Sequence, residues 1–182
     1  MNGPDYQGVM NMKLDEAIKV ALDYEYGVHK VYLDAVQKTD DDTAKRIFKV
    51  LCREEGDHLA YLQSRLNEWQ KTGKIKVKKL KTSIPAREAI EKGLQDLGKT
   101  VKPKPTRQLL ELELLKKALE AEIKASNFYK EMVRTLDGEG QELFKRFVEI
   151  EEGHEAIVQA QINTVGNWGF WFDTPEFRLE NE

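Results

Sequence analysis

Apolar side chains recur along this chain at spacings of three and four over four long stretches, the signature of amphipathic helices with one buried face. The first stretch, about 14–37, aligns Leu14, Ile18, Ala21, Glu25, Val28, Tyr32 and Ala35 on one stripe. The second, about 43–70, aligns Phe48, Leu51, Glu55, His58, Leu62 and Trp69. The third, about 106–136, aligns Glu111, Leu115, Ala118, Glu122, Ala125, Tyr129 and Met132, and the fourth, about 140–165, aligns Phe147, Glu151, His154, Val158 and Gln161. The cluster Asp40-Asp41-Asp42 ends the first helix and offers N-caps for the second. Asp137-Gly138-Glu139-Gly140 reads as the turn that ends the third.

Two of the connections are short, which makes the first and second helices antiparallel neighbours, and likewise the third and fourth. The middle connection, 71–105, is long. It holds a short helix near 85–97 and then the stiff Lys102-Pro103-Lys104-Pro105. Its length suits a crossover from one end of a bundle to the other, the all-α, ferritin-like arrangement of two antiparallel helix pairs. The tail, 168–182, reads as aromatic and irregular. Its Trp168, Phe170, Trp171 and Phe172 would cap one end of the bundle, form a subunit contact or dock a donor protein.

Composition narrows this picture. The 182 residues are most simply one domain, and 40% hydrophobic with 34% charged residues suits amphipathic helices. A net charge of −3 argues against general nucleic-acid binding. The Lys71–Lys81 stretch, with Lys74, Lys76, Lys78 and Lys79 between, reads as a solvated crossover or as a surface for an anionic partner. No apolar run is long enough to predict a membrane span, and 1–12 lacks the basic and apolar regions of a signal peptide. The single Cys52 excludes an internal disulfide and a CxxC metal site, reads as a small buried hydrophobe, and fits a reducing cytoplasm.

Three Glu or His positions break the apolar pattern in each half of the chain, six in all. Ala21, Glu25 and Tyr32 recur as Ala118, Glu122 and Tyr129 with the same spacing, and Glu55 and His58 recur as Glu151 and His154 one residue out of that register. Each half therefore carries a lone Glu on one helix and a Glu-x-x-His on the next. Residues three apart on a helix share a face, so the four carboxylates and two imidazoles should all point inward. Burying four unpaired carboxylates together is costly. Two divalent cations would balance their charge, and a mixed oxygen and nitrogen donor set suits iron, with Mn or Zn as substitutes. Glu54 and Glu152 compete with their neighbours, but Glu55 and Glu151 stand three before a His in the repeat register. Tyr32 and Tyr129 are either core aromatics or donors that orient a ligand carboxylate. His29, four after Glu25, reads as a surface or packing histidine or as an outer neighbour of the site.

The doubled Ala-x-x-x-Glu-x-x-x-x-x-x-Tyr and Glu-x-x-His motifs resemble the rubrerythrin branch of the ferritin-like superfamily. The resemblance spans the four helices. It implies a di-iron centre held by Glu25, Glu55, His58, Glu122, Glu151 and His154. It further implies reduction of hydrogen peroxide or dioxygen in oxidative-stress defence, with an external electron donor such as a rubredoxin and a homodimer or small homo-oligomer. The alternative is a ferroxidase or iron-storage protein. Two departures stand out. One cysteine cannot build the Cys₄ iron site of the rubredoxin domain that many rubrerythrins carry. Ala125 stands where rubrerythrins usually have an additional ligand Glu, which implies a more symmetric site and a weaker preference for peroxide.

Overall fold

The computed structural model describes residues 12–104 and 108–172. Its elements are α1 (Leu14–Lys38), α2 (Asp42–Thr72), α3 (Arg87–Thr100), α4 (Leu109–Thr135) and α5 (Gly138–Trp168). No strand occurs among the described residues. The architecture is the expected all-α bundle, with α1, α2, α4 and α5 as its four long helices and α3 lying against α5. The N-terminal segment, Pro105 and the start of the third periodic stretch, and the tail beyond Phe172 lie outside the described residues.

Helix limits follow local chemistry. Asp41, from the predicted acidic cluster, caps α2 by accepting a hydrogen bond from the Ala44 N–H at 2.8 Å. The turn expected at 137–140 is shorter than its composition suggests. Only Leu136 and Asp137 separate α4 from α5, and the helix restarts at Gly138 with φ +50°, a left-handed value that favours glycine. At its other end α5 runs on to Trp168, so the first residue of the expected irregular tail is helical.

The core comes from the periodic stripes. Ala17, Ile18, Ala21, Val28 and Ala35 of α1 are buried, as are Leu115, Ala118, Ala125 and Met132 of α4. These alanine-rich faces let α1 and α4 pack directly on each other. The α2 and α5 stripes are bulkier, with Phe48, Leu51, Leu62, Phe144 and Phe147. The crossover runs along these two helices. Arg146 of α5 donates to the Leu80 carbonyl (2.8 and 3.1 Å) and Tyr61 of α2 to that of Lys78 (2.7 Å). Ile75, Leu80 and Ile84 turn inward, while the lysines at 71, 74, 76, 78, 79 and 81 face solvent. The basic run is thus the outer side of an apolar strap. Gly153 admits that strap, since a Cβ there would stand 3.0 Å from the Pro85 carbonyl oxygen.

The start of the tail is also part of the core. Trp171 and Phe172 are buried, and Trp171 meets Phe48 edge to face at 6.1 Å. Buried Gln161 grips the Phe172 backbone, accepting from its N–H at 2.8 Å and donating to its carbonyl at 2.9 Å. Loss of these bonds would strand a buried N–H and carbonyl, at about 1–3 kcal/mol. Gln161→Leu is therefore expected to lower Tm by about 2–10 °C for a chain of this size. It should also speed proteolysis after residue 168. A melt and digestion pattern like those of the wild type would show that the amide does not hold the tail.

Candidate metal centre

The six interrupting side chains meet at mid-bundle. Glu25 on α1, Glu55 and His58 on α2, Glu122 on α4, and Glu151 and His154 on α5 are all buried. One donor atom from each of Glu55, His58, Glu151 and His154 lies within 4.8 Å of every other. The two imidazoles stack with centroids 5.2 Å apart and planes 13° apart, and each turns Nδ1 toward the carboxylates. His58 Nδ1 lies 3.2 Å from Glu25, 3.2 Å from Glu55 and 3.4 Å from Glu151. His154 Nδ1 lies 2.8 Å from Glu55, 3.8 Å from Glu122 and 3.9 Å from Glu151. Glu55 and Glu151 thus stand between both histidines, Glu25 sits on the His58 side, and Glu122 on the His154 side.

The tyrosines join the cluster crosswise. Tyr32 of α1 donates to Glu122 of α4, and Tyr129 of α4 donates to Glu25 of α1. Sequence spacing brings each tyrosine near the Glu of its own helix, but the antiparallel packing of α1 on α4 delivers it to the opposite one. Burial and the adjacent carboxylates push both phenols well above their ordinary values, so they remain donors. Tyr129 holds Glu25 Oε1 and leaves Oε2 3.2 Å from His58, whereas Tyr32 holds Glu122 Oε1, the oxygen 3.8 Å from His154, and leaves Oε2 without a partner.

Glu54, weighed against Glu55 in the sequence, also reaches the edge of the cluster. Its side chain is buried beside the site, at 6% exposure, where it accepts from the Ser83 N–H (3.0 Å) and Oγ (2.6 Å). Its other oxygen lies 3.9 Å from His154 Nε2. Burial opposes its charge, but His154, Ser83 and Thr82 hold its carboxyl at about 2. The only signal in the sequence was the doubled acid, Glu54-Glu55, at a buried helix face. Glu152, the other competitor, is half-exposed and pairs with Lys130 at 3.6 Å. His29 is only partly buried, and Cys52 is partly buried with Sγ 4.0 Å from the His29 carbonyl.

Electrostatics shows the cost of this cluster. Burial, then the charge on Glu55, raises Glu25 to about 8 and Glu122 to about 7. Burial and three neighbouring carboxylates raise Glu151 well above the usual range. Burial alone would raise Glu55 too, but the two imidazoles hold it well below its ordinary value. Burial works against protonation of the histidines, yet the carboxylates overcome it, raising His154 to about 10 and His58 well above its ordinary value. Protons thus offset part of the charge. Both oxygens of Glu55 and Glu151, one of Glu122 and His154 Nδ1 still lack a hydrogen-bond partner. Buried polar atoms are rarely left so, and these converge on one place. This mixed set of carboxylate oxygens and imidazole nitrogens fits a metal centre, with iron a suitable occupant.

The protein-family model for Rubrerythrin matches residues 113–167, which spans most of α4 and α5 and includes Glu122, Glu151 and His154. No curated protein and no solved structure matches the chain.

A prediction for the metal-free protein follows from the signs. A carboxyl raised to about 8 binds its proton more readily folded than unfolded. The stability this gives is complete below the ordinary carboxylate value and is lost as pH rises through about 8 for Glu25 and about 7 for Glu122. The raised histidines act in the same direction, from their ordinary value up to about 10 for His154. Glu55, depressed, acts oppositely, and its share is lost only on acidification. Each net proton changes stability by about 1.4 kcal/mol per pH unit. The Tm of chelator-treated protein should therefore fall by several degrees between pH 5.5 and pH 8. A Tm that is flat or rising over that window would mean these groups are not buried together.

Proposed function

Taking this rubrerythrin-like chain as the premise, we propose that the protein is a non-haem di-iron oxidoreductase. It reduces hydrogen peroxide or dioxygen with electrons from an external donor protein, in cytoplasmic defence against oxidative stress. The observation that supports this best is the placement of Glu55 and Glu151 between two histidines that both present Nδ1. In this reading Glu25, Glu55, His58, Glu122, Glu151 and His154 would hold the two irons, with His58 nearest Glu25 and His154 nearest Glu122 among the outer carboxylates. Two irons supply two electrons at one place, the number that reduction of a peroxide O–O bond requires.

The remaining work belongs to the chain. Tyr32 and Tyr129 each tie down one oxygen of the two outer carboxylates. The buried phenylalanines and the strap keep bulk water from the reduced site. Ala125, fully buried one turn beyond Glu122, offers no carboxylate and so leaves each half with the same ligand types. The 182 residues hold one cysteine and so contain no Cys₄ iron site, and in this reading a rubredoxin-like donor supplies the electrons. A small homo-oligomer, most simply a dimer, completes the reading. No helix among the described residues is long and apolar enough to cross a membrane.

Anaerobic loading with Fe(II), followed by stopped-flow mixing with H₂O₂ and with O₂, tests the proposal. Two irons per chain should be oxidised by H₂O₂ and then re-reduced by reduced rubredoxin through repeated cycles. Oxidation that occurs once and leaves ferric iron to accumulate would overturn it in favour of iron storage. Ala125→Glu should raise the ratio of the H₂O₂ rate to the O₂ rate several-fold with both irons retained. An unchanged ratio would remove Ala125 from the explanation of oxidant preference.

A further inference from the structure

At one buried position beside the site the internal duplication sets a charged residue against an apolar one. Glu54, immediately before Glu55, has Ile150 as its counterpart immediately before Glu151. Both are buried, so the two halves differ by a carboxylate against an aliphatic side chain in the interior. The carboxylate does not face its own helix's histidine. It crosses to α5, with Oε2 3.9 Å from Nε2 of His154, while Oε1 is anchored by the Ser83 N–H and hydroxyl of the strap. His58 has no such neighbour. Neither Nε2 has a partner within hydrogen-bond distance, but only that of His154 faces a carboxylate, whereas the His58 ring meets Phe147 edge to face at 5.4 Å.

An imidazole that gives Nδ1 to a metal keeps its proton on Nε2, and an acceptor there fixes the tautomer, orients the ring and makes the other nitrogen a better donor. One of the two histidines has a carboxylate placed for that task, and the other has an aromatic edge. Resting on the two-ion reading above, we propose that Glu54 is a positioning residue for His154. It makes the two metal positions unequal, so that the position shared by His154 and Glu122 fills first and holds its ion more tightly than that of His58 and Glu25. The ligand types are symmetric, and the inequality lies in what stands behind the two rings. Because Ser83 holds Glu54, the strap takes part in setting metal affinity.

Anaerobic titration of the full chain with Co(II), followed by the visible absorption of the bound ion, reads both steps. The wild type should bind two ions per chain in steps separated by at least about tenfold. Glu54→Gln keeps the shape of the side chain but removes its charge, and should weaken the first step about 10–100-fold, while the second changes little. Ser83→Ala, which leaves the carboxylate but loosens it, should move the first step in the same direction by less. In proton NMR of the Co(II)-loaded wild type, one imidazole N–H should exchange slowly with solvent and the other fast, and Glu54→Gln should speed the slow one. Equal steps in the wild type, or two N–H signals of equal exchange, would overturn the inequality. So would a Glu54→Gln variant whose two steps are unchanged or weakened alike, the latter marking a general structural effect. Each of these leaves the two-ion reading intact. Failure of the wild type to bind Co(II) would overturn that reading and this inference together.

Discussion

Four carboxylates confined to a dry helical interior are the constraint on which the rest of this structure depends. Glu25, Glu55, Glu122 and Glu151 are fully buried, and among the described residues their ion-pair partners are His58 and His154. Protons on the carboxyls and imidazoles can offset the charge of the cluster, but they leave several oxygens without partners. A metal centre supplies charge and coordination together. The surrounding packing follows from holding such a site. Alanine faces bring α1 and α4 close enough for each tyrosine to reach the opposite carboxylate. Aromatic residues line α2 and α5, and the strap covers them.

Much of this was legible in the sequence, because periodicity and buried polarity are both one-dimensional signals. A Glu on an apolar stripe stands out, and the same Glu twice in near register stands out more. The four long helices, the crossover and the convergence of six side chains follow from that alone. Helix ends were less legible. Gly138 and Gly140 look like a turn by composition, yet the first adopts its left-handed angle at the start of α5 and the second is already helical.

What escaped the sequence is contact between elements. Tyr32 pairs with Glu122 rather than with Glu25, and only the antiparallel packing of α1 on α4 decides that. Glu54 looked like a competitor to Glu55, whereas the helix turns it about 100° away from its neighbour, toward the strap and the back of His154. Gln161 appeared to be one more stripe residue, and its partner proved to be the Phe172 backbone. In each case a side chain of ordinary type takes its role from a residue distant in sequence or beyond the helix end.

The central claim is that the six side chains enclose two metal ions, and anomalous diffraction from crystals of the iron-loaded protein tests it most directly. Two peaks at the iron edge are expected, one bonded to His58 Nδ1 and the other to His154 Nδ1, with Glu55 and Glu151 between them. A single peak, peaks on surface carboxylates, or histidines ligating through Nε2 would contradict the account.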